Sequence, residues 1–337
     1  MWWSGSNAGR SGTGTSAEWV EVPIGTGGPS AELGEHQPTP TSASATSETV
    51  TSGIDHMSEI GDRPAVTRKR IADDLSRLGL AEGDAVFFHS SLKSLGWVEG
   101  GAEAVVDAFL DVVGPDGLVI VPTLTFCFAG HAPGAGFDPR ETPSRVGAIS
   151  DALWRRPNAH RSAHPTHGIA AIGRRAAELV GGHEKTSTFG KEGPYGRYVE
   201  WGAKILFLGV DLRRNTTLHA IEDWLDMPYM QVEQAKVKGA DGRPRVVEVT
   251  KSPSGHRDFY RRNSKVERLL RAAGIIRRGR VGAADTLWMP SQEMVEVVVK
   301  GIYGEPALLL CDDESCGFCS AYRQPTIDHI RKNRPRI

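Results

Sequence analysis

Several features are scarce in this chain of 337 residues, and each shortage narrows what it can be. No run of about 18 apolar residues occurs, so no transmembrane helix is expected and no membrane partner follows. The first residues lack a basic segment followed by an apolar core, so no secretory leader is expected and the chain reads as cytoplasmic. Neither sign of charge dominates: 40 Lys and Arg against 41 Asp and Glu leave a formal net charge of -1. Nucleic acid needs a basic stripe to meet its phosphates, so it is not expected as the main partner. Cysteine is sparse. Cys127 stands alone, while Cys311, Cys316 and Cys319 crowd the carboxyl end. A disulfide framework spreads its staples, so reduced thiols are the simpler reading. HExxH is absent, which argues against a zinc hydrolase, and no Gly-Lys-Ser/Thr phosphate loop or internal repeat is present.

Composition divides the chain. Residues 1–62 are rich in Ser, Thr, Gly and Ala and bury too little apolar surface to offset chain entropy, so a disordered tail is expected. Met57 offers an alternative start within it. An α/β domain is expected over 63–310, and 311–337 reads as a cysteine-containing carboxyl-terminal extension. Ile71, Leu75 and Leu78 recur at helical spacing, with Gly79 as a fitting cap. Ala85–Phe88 reads as a buried strand, Ala102–Val113 as an amphipathic helix and Leu118–Thr123 as the next strand. That succession predicts a parallel pair joined by a crossover helix. Val146–Arg156 reads as a helix, Lys204–Val210 as a third strand, and another helix follows from about Thr216.

Four motifs stand where chemistry is expected. His89-Ser90-Ser91-Leu92 ends a strand, and ligands of open α/β sheets bind beyond the carboxyl ends of strands. Gly100 and Gly101 then open a helix, whose amino end suits a phosphate. Asn215 or Thr216 can cap the helix that carries His219, Glu222 and Asp223 on one face, opposite Leu218, Ile221 and Leu225. A carboxylate beside a histidine can fix its tautomer and raise its basicity. His164 and His167 are three apart in a proline-containing loop. They could hold a metal, although backbone-bonded turn histidines explain the pattern as well. Cys311, Cys316 and Cys319 have spacings that suit zinc thiolates, with His329 or Asp312 as a fourth ligand. Unliganded thiols are the plainer alternative, and Cys127 reads as a buried core thiol.

Taken in order, HSSLKSLGWVEGG from His89, VGPDGLVIVPTLTF from Val113 and FDPRETPSRVGAIS from Phe137 resemble the aminoglycoside 3-N-acetyltransferase family. RSAHPTHGIAAIG from Arg161, GRYVEWGAKILFLG from Gly196 and NTTLHAIEDWLDMPY from Asn215 continue the match. The resemblance implies an antibiotic N-acetyltransferase-like α/β fold with a central, mostly parallel sheet flanked by helices, distinct from the common small acetyltransferases. It implies acetyl-coenzyme A as donor, direct transfer to an amine and no metal in catalysis. It makes His219 the general base, with His89 assisting at the same cleft; Glu222 joins them as a catalytic candidate on its spacing from His219 alone. Ser90, Ser91, Leu92, Lys93, Ser94, Gly100 and Gly101 would line the coenzyme site. A polycationic acceptor needs carboxylates, so Asp223, Asp138 and Glu141, together with His164, are the expected acceptor contacts.

Gly168 and Gly193 depart from the family, standing where it usually has serine. An amine other than an aminoglycoside, such as a biosynthetic intermediate, is the alternative acceptor. A metal hydrolase built on His164 and His167, and a binding module without turnover, are more distant rivals. A homodimer is expected, since such symmetry is common.

Overall fold

The structure is a computed structural model that describes residues 65–251 and 258–334. The tail and Met57 lie outside the described residues. The strands are β1 (Ala85–Ser90), β2 (Leu118–Leu124), β3 (His160–Arg161), β4 (His167–Gly173), β5 (Lys204–Leu208), β6 (Gln231–Lys238), β7 (Pro244–Lys251), β8 (Arg277–Val281) and β9 (Ala284–Pro290). The helices are α1 (Arg68–Leu78), α2 (Gly101–Val113), α3 (Ala148–Trp154), α4 (Ala176–Val180), α5 (Pro194–Glu200), α6 (Thr217–Trp224), α7 (Lys265–Ala272), α8 (Ser291–Gly304) and α9 (Gly317–Asn333).

Seven strands form one sheet in the order β3-β4-β2-β1-β5-β9-β8. β1 pairs in parallel with β2 and with β5, and the pairings outside this trio are antiparallel. β1, β2, β3, β5 and β8 therefore run one way, and β4 and β9 run against them. The parallel centre follows from the crossover through α2, because parallel neighbours need a connection long enough to return over the sheet. That helix buries Val105, Ala108 and Phe109 as its spacing predicts, while Val112 of the same expected stripe is only half-buried and Val113 is buried instead. α1 is capped at both ends: the Thr67 side chain accepts from the Arg70 N–H, and Gly79 takes φ 105°. An L side chain rarely adopts that φ, so glycine ends the helix there.

Alternation along the strands sorts the core into two layers. Val86, Phe88, Val119, Val121, Leu206 and Leu208 pack with α1, α2 and α3. Phe87, Ile120, Ile205, Phe207 and Met289 pack on the opposite face, with residues of α4 to α9. His89 shares parity with Phe87 and meets the Phe207 ring at 5.6 Å, so it lies on the same face as α6.

Two further parts complete the architecture. In the carboxyl-terminal extension, Cys311, Cys319 and Ile330 join the core layer that holds Phe87 and Ile205. β6 and β7 form their own two-stranded sheet around Ala235, Val247 and Val249. Among the described residues, no helix is long and apolar enough to cross a membrane.

Candidate active site

The site is assembled where β1 and β5 end. Asn215 Oδ1 accepts from the Thr217 N–H at 3.1 Å and starts α6. The Thr217 hydroxyl lies 2.9 Å from the Tyr198 hydroxyl, which ties the helix start to α5. One turn on, His219 Nδ1 is 2.6 Å from Glu222 Oε2. A carboxylate only accepts, so the Nδ1 proton points at Glu222 and Nε2 keeps its lone pair. Glu222 has no exposed surface, and its Oε1 accepts from the Tyr229 hydroxyl at 3.0 Å. The Tyr260 hydroxyl, on a partly exposed residue, stands 2.8 Å from His219 Nε2 and donates to it. Phe189 and Phe259 wall the imidazole, each at 5.4 Å.

His89 occupies the same face from the β1 side, with its ring 4.9 Å from Phe87. Burial, reinforced by the Arg214 charge, pulls its pKa down to about 3, so it is a neutral imidazole at neutral pH. Its Nε2 is buried without a hydrogen-bond partner among the described residues, and so is Asn215 Nδ2. Orphaned buried polar atoms are rare, and His89 Nε2 near the end of β1 and Asn215 Nδ2 just before α6 are ones to which a ligand could supply partners.

The loop after β1 forms a tight turn over Leu92–Leu95. Ser94 Oγ lies 3.0 Å from Ser91 Oγ and 3.0 Å from the Gly209 carbonyl. Gly209 has φ 66°, and a Cβ there would come within 2.4 Å of Ser94 Cβ, so glycine permits this approach. Lys93 is exposed, and Gly100 caps α2 in the left-handed conformation with Gly101 following. Glu103 in the first turn is neutralised by Arg156 at 2.6 Å.

Asp223 is half-buried and accepts from the Ser187 hydroxyl at 2.8 Å. Burial, then the charges of Asp226 and Glu192, push its pKa up. A cation near Asp223 would relieve the repulsion it feels from Asp226 and Glu192. Asp138 and Glu141 are not in this group. Each is paired with the one Lys238 ammonium of β6 at 3.0 Å, which offsets part of their charge.

His164, expected as an acceptor contact, is engaged by its own neighbours. The residue is buried, and Nδ1 accepts from the backbone N–H groups of Thr166 at 3.4 Å and His167 at 3.3 Å. Its Nε2 then carries the proton and donates to Thr188 Oγ1 at 3.2 Å, so no nitrogen is left for a substrate or a metal. The ring stacks on His183 at 4.5 Å, and His183 is equally committed, to Ser162 Oγ at 3.0 Å and the Thr188 carbonyl at 2.9 Å. Cys127 is buried, as a core thiol would be. A Cβ on Gly168 would meet Thr123 Oγ1 at 2.9 Å, and one on Gly193 would meet Thr186 Oγ1 at 2.8 Å. Neighbouring threonines thus crowd both departures from the family pattern.

Sequence reasoning missed Tyr229, Tyr260, Glu192 and Asp226. The two tyrosines lie outside α6, and only the tertiary fold brings their hydroxyls to Glu222 and His219.

The aminoglycoside 3-N-acetyltransferase family model matches residues 87–302. Aminoglycoside N(3)-acetyltransferase VII of Streptomyces paromomycinus is 34% identical over 257 residues, covering 68% of this chain and 89% of the relative. Aminoglycoside N(3)-acetyltransferase IX of Micromonospora chalcea is 34% identical over 250 residues, covering 66% and 88%. The apoenzyme structure of aminoglycoside acetyltransferase AAC(3)-IVa superposes with a TM-score of 0.68 at 27% identity, covering 78% of this chain and 99% of that one. AAC-IIIb bound to coenzyme A gives a TM-score of 0.65 at 25% identity, covering 74% and 100%. The chain belongs to the aminoglycoside 3-N-acetyltransferase family. It is an N-acetyltransferase that uses acetyl-coenzyme A as cosubstrate.

Proposed function

We propose that this chain acetylates an amine of an aminoglycoside, with His219 as the base, and so confers resistance. The observation that carries the reading is the Glu222–His219 pair, which aims the Nδ1 proton at a buried carboxylate and leaves Nε2 as the acceptor. An ammonium has no lone pair to attack a thioester, so the acceptor nitrogen gives one proton to solvent before attack. It loses a second as the amide forms and the coenzyme A thiolate departs, to be reprotonated by the imidazolium. His219 Nε2 takes that second proton, and Glu222 stabilises the imidazolium from behind. Tyr260 covers Nε2 in the ligand-free chain and gives way when an amine arrives.

Acetyl-coenzyme A supplies an activated acetyl carbon with a thiolate leaving group. Ser90, Ser91, Leu92, Lys93 and Ser94, with the amino end of α2 at Gly100 and Gly101, would hold it. The exposed Lys93 ammonium and the helix dipole suit its phosphates. The partnerless His89 Nε2 and Asn215 Nδ2 are polar contacts available to the reacting groups. Asp223, Asp226 and Glu192 offer an anionic rim for a polycationic acceptor, which favours an aminoglycoside over a neutral amine. AAC(3)-IVa has been crystallised, as a variant, with a gentamicin, which supports the same acceptor class here.

The test is release of coenzyme A thiol, followed with a thiol reagent, across aminoglycosides and simple amines. Release that depends on an aminoglycoside is expected. Release with simple amines alone would keep the transferase and overturn the acceptor.

A further inference from the structure

Three cysteines that acetyl transfer does not use come together where the last helix begins. Cys311 precedes α9, Cys316 caps it and Cys319 lies in its first turn. Their Sγ atoms all lie within 4.8 Å of one another. Cys311 and Cys319 are buried and Cys316 is half-buried, so the cluster opens to solvent only at Cys316. Thiolates on one tetrahedral zinc, at about 2.3 Å each, stand roughly 3.8 Å apart, so an adjustment of about 1 Å would close these three on an ion.

We propose that Cys311, Cys316 and Cys319 form a site for a thiophilic divalent cation, zinc, that fastens the start of α9 to the core. A single disulfide would engage two of the sulfurs and give no reason for the third. The surroundings suit thiolates. The Cys311 N–H donates to Cys319 Sγ at 3.3 Å, and the Arg323 guanidinium donates to the Cys311 carbonyl, placing a positive charge beside the cluster. Neither side chain that the spacing suggested as a fourth ligand is available. His329 Nε2 donates to the Leu225 carbonyl at 2.8 Å, and Asp312 is paired with Lys265 at 3.0 Å and Arg323 at 3.1 Å. The fourth position therefore falls to water on the open side at Cys316. Each thiol that binds releases its proton to solvent.

The ion would also steady the region behind the base. Phe318 lies between two of the ligands in sequence, and its ring is 5.7 Å from Tyr229; the Tyr322 ring is 5.9 Å away. Tyr229 donates to Glu222, which holds His219. Metal binding stands apart from the reading of His219, and this link rests on it.

The experiment is elemental analysis of full-length protein purified without chelator or a metal column, then incubated with zinc sulfate and desalted. About one zinc per chain is expected, falling below roughly a tenth in Cys316→Ser. That variant changes a half-buried side chain, so it should fold, which circular dichroism checks. Cobalt in place of zinc should give the near-ultraviolet thiolate absorption of a sulfur-ligated ion. A stripped wild-type chain that melts several degrees lower than the zinc form, with turnover reduced alongside, would support both site and link. Loss of Tm with turnover intact would keep the site and remove its link to His219. Wild-type protein that takes up less than about a tenth of an equivalent, or that shows a Cys316–Cys319 disulfide by mass under non-reducing conditions, would overturn the proposal.

Discussion

His219 and His164 are both buried histidines in polar company, and they differ in what their nitrogens have left to do. At His164 two backbone N–H groups fill Nδ1 and a threonine takes Nε2, so the ring is a structural joint. At His219 a carboxylate holds Nδ1, while the partner at Nε2 is a single hydroxyl on a partly exposed tyrosine. Burial does not separate the two. A carboxylate on one side and a displaceable partner on the other does, and that is what a general base requires.

The comparison breaks first, and with the largest effect, at His219→Ala. Turnover should fall by roughly 10²–10⁴-fold, the range for losing a general base, with coenzyme affinity nearly unchanged. Calorimetry with coenzyme A beside the thiol-release assay reads both, and intact turnover would remove His219 from its role. Glu222→Gln should follow, with kcat also sharply reduced, since the amide no longer stabilises the imidazolium. Its pH–rate profile should move as well, because the positioning carboxylate acts through the ring. Asp223→Asn should raise the acceptor KM several-fold at nearly constant kcat, and an unchanged KM would remove it from the rim.

His164→Ala sharpens the contrast from the other side. It orphans two backbone donors and should cost about 2–4 kcal/mol of stability, visible in chemical denaturation. Turnover per folded molecule should stay within a few-fold, and a loss like that of His219→Ala would erase the distinction.

Acid should destabilise the fold through the buried histidines. Burial holds His89 neutral to about 3 and His183 to about 4, and places His164 well below the usual range. Unfolded histidines bind protons near pH 6.5, so the unfolded chain gains protons that the folded one does not. This stabilisation is present above about pH 6.5 and is lost as pH falls toward 4, at up to ~1.4 kcal/mol per pH unit per histidine. Tm should be level from about pH 8 to 7 and drop below pH 6.5, whereas a level Tm down to pH 5 would contradict these assignments.

Much of this was legible in the sequence because periodicity is local. The apolar stripe of α2 and the runs of β1, β2 and β5 announce themselves within a dozen residues. His219, Glu222 and Asp223 were legible for the same reason, three and four residues apart on one helix. β6 was not: QVEQAKVK exposes or half-exposes all its side chains but Ala235, so no apolar run marks it. Tyr260 and Tyr229 were not, since their hydroxyls reach the site across 41 and 7 residues of chain with no local pattern. The partners of His164, Asp138 and Glu141 were not legible either. A motif tells which polar groups are near, and only the fold tells which are already spent on Thr188 and Lys238.

The central claim is that His219 carries its proton on Nδ1 and offers Nε2 to the acceptor. Nitrogen-15 NMR of the ring in ligand-free protein, at about pH 8 where an ordinary imidazole is neutral, reads this directly. The account predicts a protonated Nδ1 hydrogen-bonded to Glu222 and an unprotonated Nε2. A proton on Nε2 with Nδ1 bare would contradict it.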